Sequence, residues 1–223
     1  MVKNNMINKI YLASDHGGFS LKEYIYFFLK EKKMDVKDLG CKSLDPVDYP
    51  DYAKKIANRI KTKKSWKYGR FEIRAKLPRG IGTWAAFWGL PTEWKYGNWP
   101  NSGEIDVLEH VGFDEGHIVS SVHNIAHHGD LSNSDQTKHI VVDDVISTFK
   151  NYILEWDEKQ IKTFVDDKLI FSYSKNNQPW ERWPFDEKFR FILNIAIGGN
   201  WGGIKGVDDN AFPTKMEIEH FRV

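Results

Sequence analysis

The chain has 223 residues, 41% hydrophobic and 28% charged, which suits a globular protein with room for one full domain or two small ones. A formal net charge of +1 leaves no electrostatic case for a nucleic-acid or anionic-membrane partner. The single cysteine, Cys41, excludes an internal disulfide and a thiolate metal cluster. No apolar run reaches the ~18 residues of a membrane span. The first residues lack a signal-peptide pattern, so the sequence as written predicts a cytoplasmic protein.

Composition changes along the chain. All 9 tryptophans lie between Trp66 and Trp201, and residues 1–60 carry 11 basic against 8 acidic side chains. In that first stretch, residues 7–13 read as a short strand. Leu21, Ile25, Phe28 and Leu29 then recur at helical spacing. VKDLG reads as a second strand, and DYPDYAKKIANRI as a second helix with Pro50 in its first turn. This β-α-β-α order predicts a small, incomplete α/β segment over 1–60.

From residue 61 the pattern is that of an antiparallel sandwich. RFEIRAKL alternates Phe71, Ile73, Ala75 and Leu77 with charged neighbours. TWAAFWGL, EIDVLEH, HIVSSVHN, YILEWD, IKTFVDD, KLIFSY, FRFILNIAIG and KMEIEHFRV follow as strands, separated by turn residues such as PRG, NWPNSG and GGNWGG. The charged stretch KTKKSWK marks the boundary.

The sharpest feature is GEIDVLEH, residues 103–110. On a regular strand Glu104 and Asp106 share a face, while Glu109 falls on the other. One extra residue, a β-bulge, returns Glu109 to the acidic face and adds Leu108 to the buried set. Three adjacent carboxylates repel, so one keeps its proton near neutral pH. A carboxylate beside a carboxylic acid is what glycosidic cleavage requires, and a separation of about 5–5.5 Å gives retention. The same three acids also suit a solvated strand edge or a cation site. Trp84, Trp88, Trp94 and Trp99 precede the acids and Trp201 lies in a glycine-rich loop, where indoles can stack on sugar rings. Trp66 and Trp156 read as core residues, and the adjacent His127 and His128 as loop residues. Asn194 sits inside an apolar strand and needs a polar partner, which a cleft-facing position supplies.

WKYGRFEIRAKLP, GTWAAFWGLP, NWPNSGEIDVLEH, SSVHN, YILEWDEKQIKTFVDD, RFILNIAIGGNWGG and MEIEHFRV together resemble glycoside hydrolase family 16, most of all its laminarinase-type branch. The resemblance covers 61–223. It implies a mostly β, concanavalin-like jelly-roll sandwich with a cleft for a β-glucan polysaccharide. The implied activity is retaining endo-hydrolysis of β-1,3-glucan or mixed β-1,3/1,4-glucan, with no cofactor required. By position it makes Glu104 the nucleophile, Asp106 the assisting acid and Glu109 the general acid/base. It places Trp99 at a subsite, and Arg74, Trp84, Trp88, His123, Asn194 and Trp201 along or behind the cleft. Glu219 stands where a structural calcium would take an acid, and no bound metal is predicted. Members usually act outside the cell and carry further strands ahead of the block at Trp66. On this reading the sandwich is N-terminally truncated, with open strand edges. Residues 7–60, through KIYLASDHGGFSLKEYI and VDYPDYAKKIA, resemble instead the start of ribose-5-phosphate isomerase type B, with Asp15, His16 and Tyr49 at its sugar-phosphate positions. That family's catalytic cysteine or threonine and its glycine-rich phosphate loop do not follow, so isomerase activity is not expected. The chain then reads as a fusion of two incomplete domains. The alternatives to a hydrolase are a glucan-binding remnant and an isomerase fragment.

Overall fold

A computed structural model describes residues 10–14, 16, 18–47, 52, 55, 64–132 and 134–223. The chain divides into two compact units, Met1–Lys63 and Lys64–Val223. Among the described residues no helix is long and apolar enough to cross a membrane.

In the first unit, β1 (Ile10–Leu12) and β2 (Val36–Asp38) pair in parallel, with Ile10 opposite Val36 and Leu12 opposite Asp38. Helix α1 (Phe19–Glu31) connects them. The apolar stripe on α1 is not a core face, however. Leu21 and Phe28 remain exposed, whereas Lys22 is buried. Its ammonium reaches Asp38 Oδ2 at 2.6 Å and Glu23 Oε1 at 2.7 Å, the counter-charges that a buried ammonium requires. The second helix expected over residues 48–60 lies outside the described residues.

The second unit is built from ten strands in two antiparallel five-stranded sheets. They are β3 (Gly69–Lys76), β4 (Thr83–Pro91), β5 (Glu104–Val111), β6 (His117–His123), β7 (Thr137–Val141), β8 (Lys150–Trp156), β9 (Gln160–Val165), β10 (Lys168–Ser174), β11 (Phe189–Ile197) and β12 (Glu217–Arg222). One sheet has the order β10-β9-β8-β3-β12 and the other β11-β4-β5-β6-β7. β7 is the strand that apolar alternation does not reveal. Its TKHIV lies on an edge with no buried residue, so no pattern is imposed on it.

The core fills the space between the sheets. Phe71, Ile73 and Ala75 of β3 and Leu154 and Trp156 of β8 meet Phe87 of β4, Ile105 and Leu108 of β5 and Ile118 and Val122 of β6. Trp156 is buried and donates its indole N–H to the Phe185 carbonyl at 3.2 Å, and Trp66 packs against the same cluster. Trp156 is thus a core residue, as the sequence indicates, while Trp66 is half-buried at the core's margin. β11 and β12 are the outer strands on the same side of the two sheets' orders. There Ile197, Ile218 and Phe221 are exposed, and β11 has one further backbone pairing, Phe189 with Trp66.

Candidate active site

β5 is the central strand of its sheet, between β4 and β6. Against β4, Ile105 pairs with Gly89, Asp106 with Trp88, Leu108 with Phe87 and Glu109 with Ala86. Val107 is therefore the inserted residue. The ladder to β6 is interrupted at the same place, between Asp106 opposite Ser121 and Glu109 opposite Val119. The bulge returns Glu109 to the face of Glu104 and Asp106 and leaves Val107 and Leu108 buried. Gly103 immediately precedes the strand at φ +84, and a Cβ there would lie 2.9 Å from both Pro184 Cγ and Phe185 Cε1. Only glycine meets both conditions without strain.

The three acids line one cavity of about 240 Å³ with Trp84, Trp88 and Asn194, floored by Ala86 and Ala196. Trp84 Nε1 donates to Glu109 Oε1 at 3.1 Å. Asp106 is buried, and its Oδ2 accepts from Ser121 Oγ at 2.8 Å and lies 3.0 Å from His123 Nε2. His123 Nδ1 faces the Gly129 N–H at 3.3 Å as acceptor, which places the ring proton on Nε2, toward Asp106. Trp88 Nε1 donates to Asn194 Oδ1 at 2.8 Å, the partner that a polar side chain in an apolar strand requires.

Electrostatics follow from this crowding. Burial, and then the Asp106 carboxylate, raise Glu104 to about 9. Burial and Asp106 likewise raise Glu109 to about 8, against the opposing hydrogen bond from Trp84. Burial works against a charge on His123, but the hydrogen bond and negative charge of Asp106, with Glu104 behind, outweigh it and raise its pKa. Burial and the neighbouring Asp106 charge thus favour the protonated forms of Glu104 and Glu109 near neutral pH. Glu104, Asp106 and His123 also bring one ligand atom each within 4.8 Å of one another, a donor set a cation could use. The His123–Asp106 hydrogen bond already accounts for part of that closeness.

Aromatic rings stand at both ends of the acid row. Trp201 meets Trp84 edge-on at 5.5 Å, beside Glu109. Trp99 is 45% exposed, 6.1 Å from the His123 ring and 5.5 Å from that of His128. His127 and His128 are loop residues, as expected. Arg74 is not brought to this site. It lies on β3 in the opposite sheet, on the outward face between buried Ile73 and Ala75, and pairs with Glu219. The β3 alternation that buries Ile73 and Ala75 turns residue 74 away from both core and cavity. Glu219 is thereby also engaged in an ion pair. Trp94 does not line the cavity. The sequence reading missed Ser121, the hydroxyl partner of Asp106. Its signal was its position two residues before His123 on a strand, hence on the same face.

The family pattern of glycosyl hydrolases family 16 matches residues 28–220. A β-glucanase of Rhodothermus marinus is 44% identical over 168 residues, covering 72% of this chain and 58% of that protein. The crystal structure of a laminarinase from Rhodothermus marinus matches with a TM-score of 0.69 at 43% identity, covering 73% of this chain and 67% of that one. A non-specific endo-β-1,3(4)-glucanase of family 16, in a glutamate-to-serine variant holding a 1,3-β-D-cellobiosyl-glucose at its active site, matches at 34% identity with a TM-score of 0.66, covering 71% and 61%. The mostly β sandwich with its acidic central strand thus belongs to a known class of carbohydrate-active folds, and the chain is a member of glycosyl hydrolases family 16. It spans 30 to 64% of the length of three curated relatives.

Proposed function

We propose that the Lys64–Val223 unit is a retaining endo-hydrolase of β-1,3-glucan or mixed β-1,3/1,4-glucan. The observation that carries this reading is the bulge at Val107, which gathers Glu104, Asp106 and Glu109 into one tryptophan-lined cavity. Similarity to a β-glucanase and a laminarinase supports the substrate class.

The chemistry follows from the proton inventory. Asp106 Oδ2 accepts from Ser121 and meets His123, whose Nε2 stands 4.0 Å from Glu104 Oε1 and favours the ionised form of that carboxylate. Glu104 reacts as the carboxylate. It attacks the anomeric carbon and the glycosidic C–O bond breaks. Glu109, protonated at neutral pH, gives its proton to the departing oxygen. The glycosyl–Glu104 ester is then opened by water, whose proton returns to Glu109. The exposed Trp99 and the half-buried Trp201 offer ring faces for neighbouring sugars.

Glu104→Gln keeps the side chain's shape and removes the nucleophile. Laminarin turnover falls by about four orders of magnitude or more, while laminarin binding by calorimetry persists. The anomer first released, followed by proton NMR on the wild type, is β. Laminarin binding without reducing-sugar release by the wild type would select the glucan-binding reading instead. For residues 7–60 we propose an isomerase-like segment without isomerase activity, and turnover of ribose 5-phosphate would refute that.

A further inference from the structure

Ser120 sits on the core side of β6, fully buried between Ile118 and Val122, where alternation calls for an apolar residue. Its neighbour Ser121 points the opposite way, to Asp106. A serine hydroxyl in an apolar layer has to find an acceptor. Ser120 Oγ finds the carbonyl of Val107 at 2.6 Å. Val107 is the inserted residue of the bulge, and an inserted residue falls out of the strand ladder. Ser120 is the single β6 residue between the two registered pairs, Asp106–Ser121 and Glu109–Val119, so it alone spans the gap.

We propose that Ser120 is a positioning residue for the hydrolysis, acting by tying down the Val107 carbonyl so that the bulge keeps Glu109 aimed at the leaving oxygen. The proposal rests on the hydrolase reading for its kinetic consequence. The chain of contact is short and one-directional. Ser120 touches none of the acids, but Val107 stands between Asp106 and Glu109, and its peptide plane sets the angle between their side chains. Glu109 leans on Trp84 of β4, so a turn of the strand at Val107 moves Glu109 against a fixed indole. Glu104 lies on the far side of Asp106 and is paired with His123, out of reach of that turn. Ser120 therefore bears on the acid and spares the nucleophile. A side chain that merely filled the core would bear on both alike.

That asymmetry provides the test. Laminarin has a poor leaving group and needs a proton from Glu109, whereas a 2,4-dinitrophenyl β-laminaribioside departs without one. In Ser120→Ala, kcat on laminarin falls about 10- to 100-fold, kcat/KM for formation of the glycosyl-enzyme from the dinitrophenyl substrate stays within about threefold, and laminarin KM changes little. Ser120→Cys, of similar volume with a weaker donor, falls between the wild type and alanine. Parallel losses on both substrates would overturn the proposal. If the wild type cleaves neither substrate, the hydrolase reading fails, and the claim about Ser120 is decided by carboxyl-carbon NMR on glutamate-labelled protein. Ser120→Ala then moves the Glu109 titration midpoint and leaves that of Glu104 in place. An unmoved Glu109, or equal movement of both, would overturn it. If Ser120→Ala does not fold, the Ser120→Cys comparison decides by the same two ratios.

Discussion

Replacing Trp84 by phenylalanine isolates one hydrogen bond in the acid cluster. The indole N–H donates to Glu109 Oε1 at 3.1 Å and favours the ionised carboxylate, against burial and the Asp106 charge that together raise Glu109 to about 8. A hydrogen bond to a charged group contributes about 1.5 kcal/mol at the low end, and one pKa unit corresponds to about 1.4 kcal/mol. Trp84→Phe therefore raises the Glu109 pKa by about one unit. Glu109 acts in its protonated form, so activity is lost as pH rises through its pKa. The alkaline limb of kcat/KM on laminarin then moves up by about one unit, even as the absolute rate drops because the edge-on contact with Trp201 is altered. The assay is initial-rate hydrolysis across about pH 5 to 10, with the limb fitted independently of amplitude. An alkaline limb that stays put or moves down would refute the assignment of Glu109 as the acid.

Two further substitutions test the frame that holds the site. Asn124 is fully buried. Its amide donates to Gln136 Oε1 and the Arg182 carbonyl, both at 2.9 Å, and accepts from the His127 N–H at 3.0 Å. Asn124→Ala strands these partners and costs about 2–3 kcal/mol in urea unfolding; a loss below about 0.5 kcal/mol would show that the loop is held otherwise. Gly103→Ala forces a Cβ into a backbone at φ +84 and against Pro184 and Phe185. It lowers stability by about 1–3 kcal/mol and displaces Glu104, so laminarin activity falls with it. Unchanged thermal unfolding would contradict the crowding at that turn.

What the sequence revealed depended on whether burial imposes a period. β3, β4, β5 and β9 each place one face on a shared core, and their alternation is plain. β7 buries no residue fully and packs only Ile140 against the core, so it could not be read. The bulge was legible because Val107-Leu108 breaks alternation where three acids would otherwise split between faces. Arg74 shows the limit of position-by-position resemblance. It stands in a matched block, yet its strand belongs to the opposite sheet, a fact set by long-range pairing to β8 and β12 and not by local pattern. The stripe on α1 shows the other limit. Helical spacing announces a helix, but which face is covered depends on what packs there, and on α1 the buried residue is Lys22, paired with Asp38 and Glu23.

The placement of the acids on a central strand explains how three like groups come to sit in three different environments. An edge strand has one neighbour, and its side chains are tuned from one side. β5 has two, and they divide the acids between them. β4 supplies Trp84 to Glu109, while β6 supplies Ser121 and His123 to Asp106 and, through it, influences Glu104. Because the donors arrive from different strands, a change to one need not alter the others. Trp84 acts on Glu109, and His123 with Ser121 acts on Asp106 beside Glu104. The bulge belongs to the same logic. Were the same residues laid out as a regular strand with no bulge at Val107, Glu109 would face the core and Leu108 the cavity, and the β4 indole would have no carboxylate to meet.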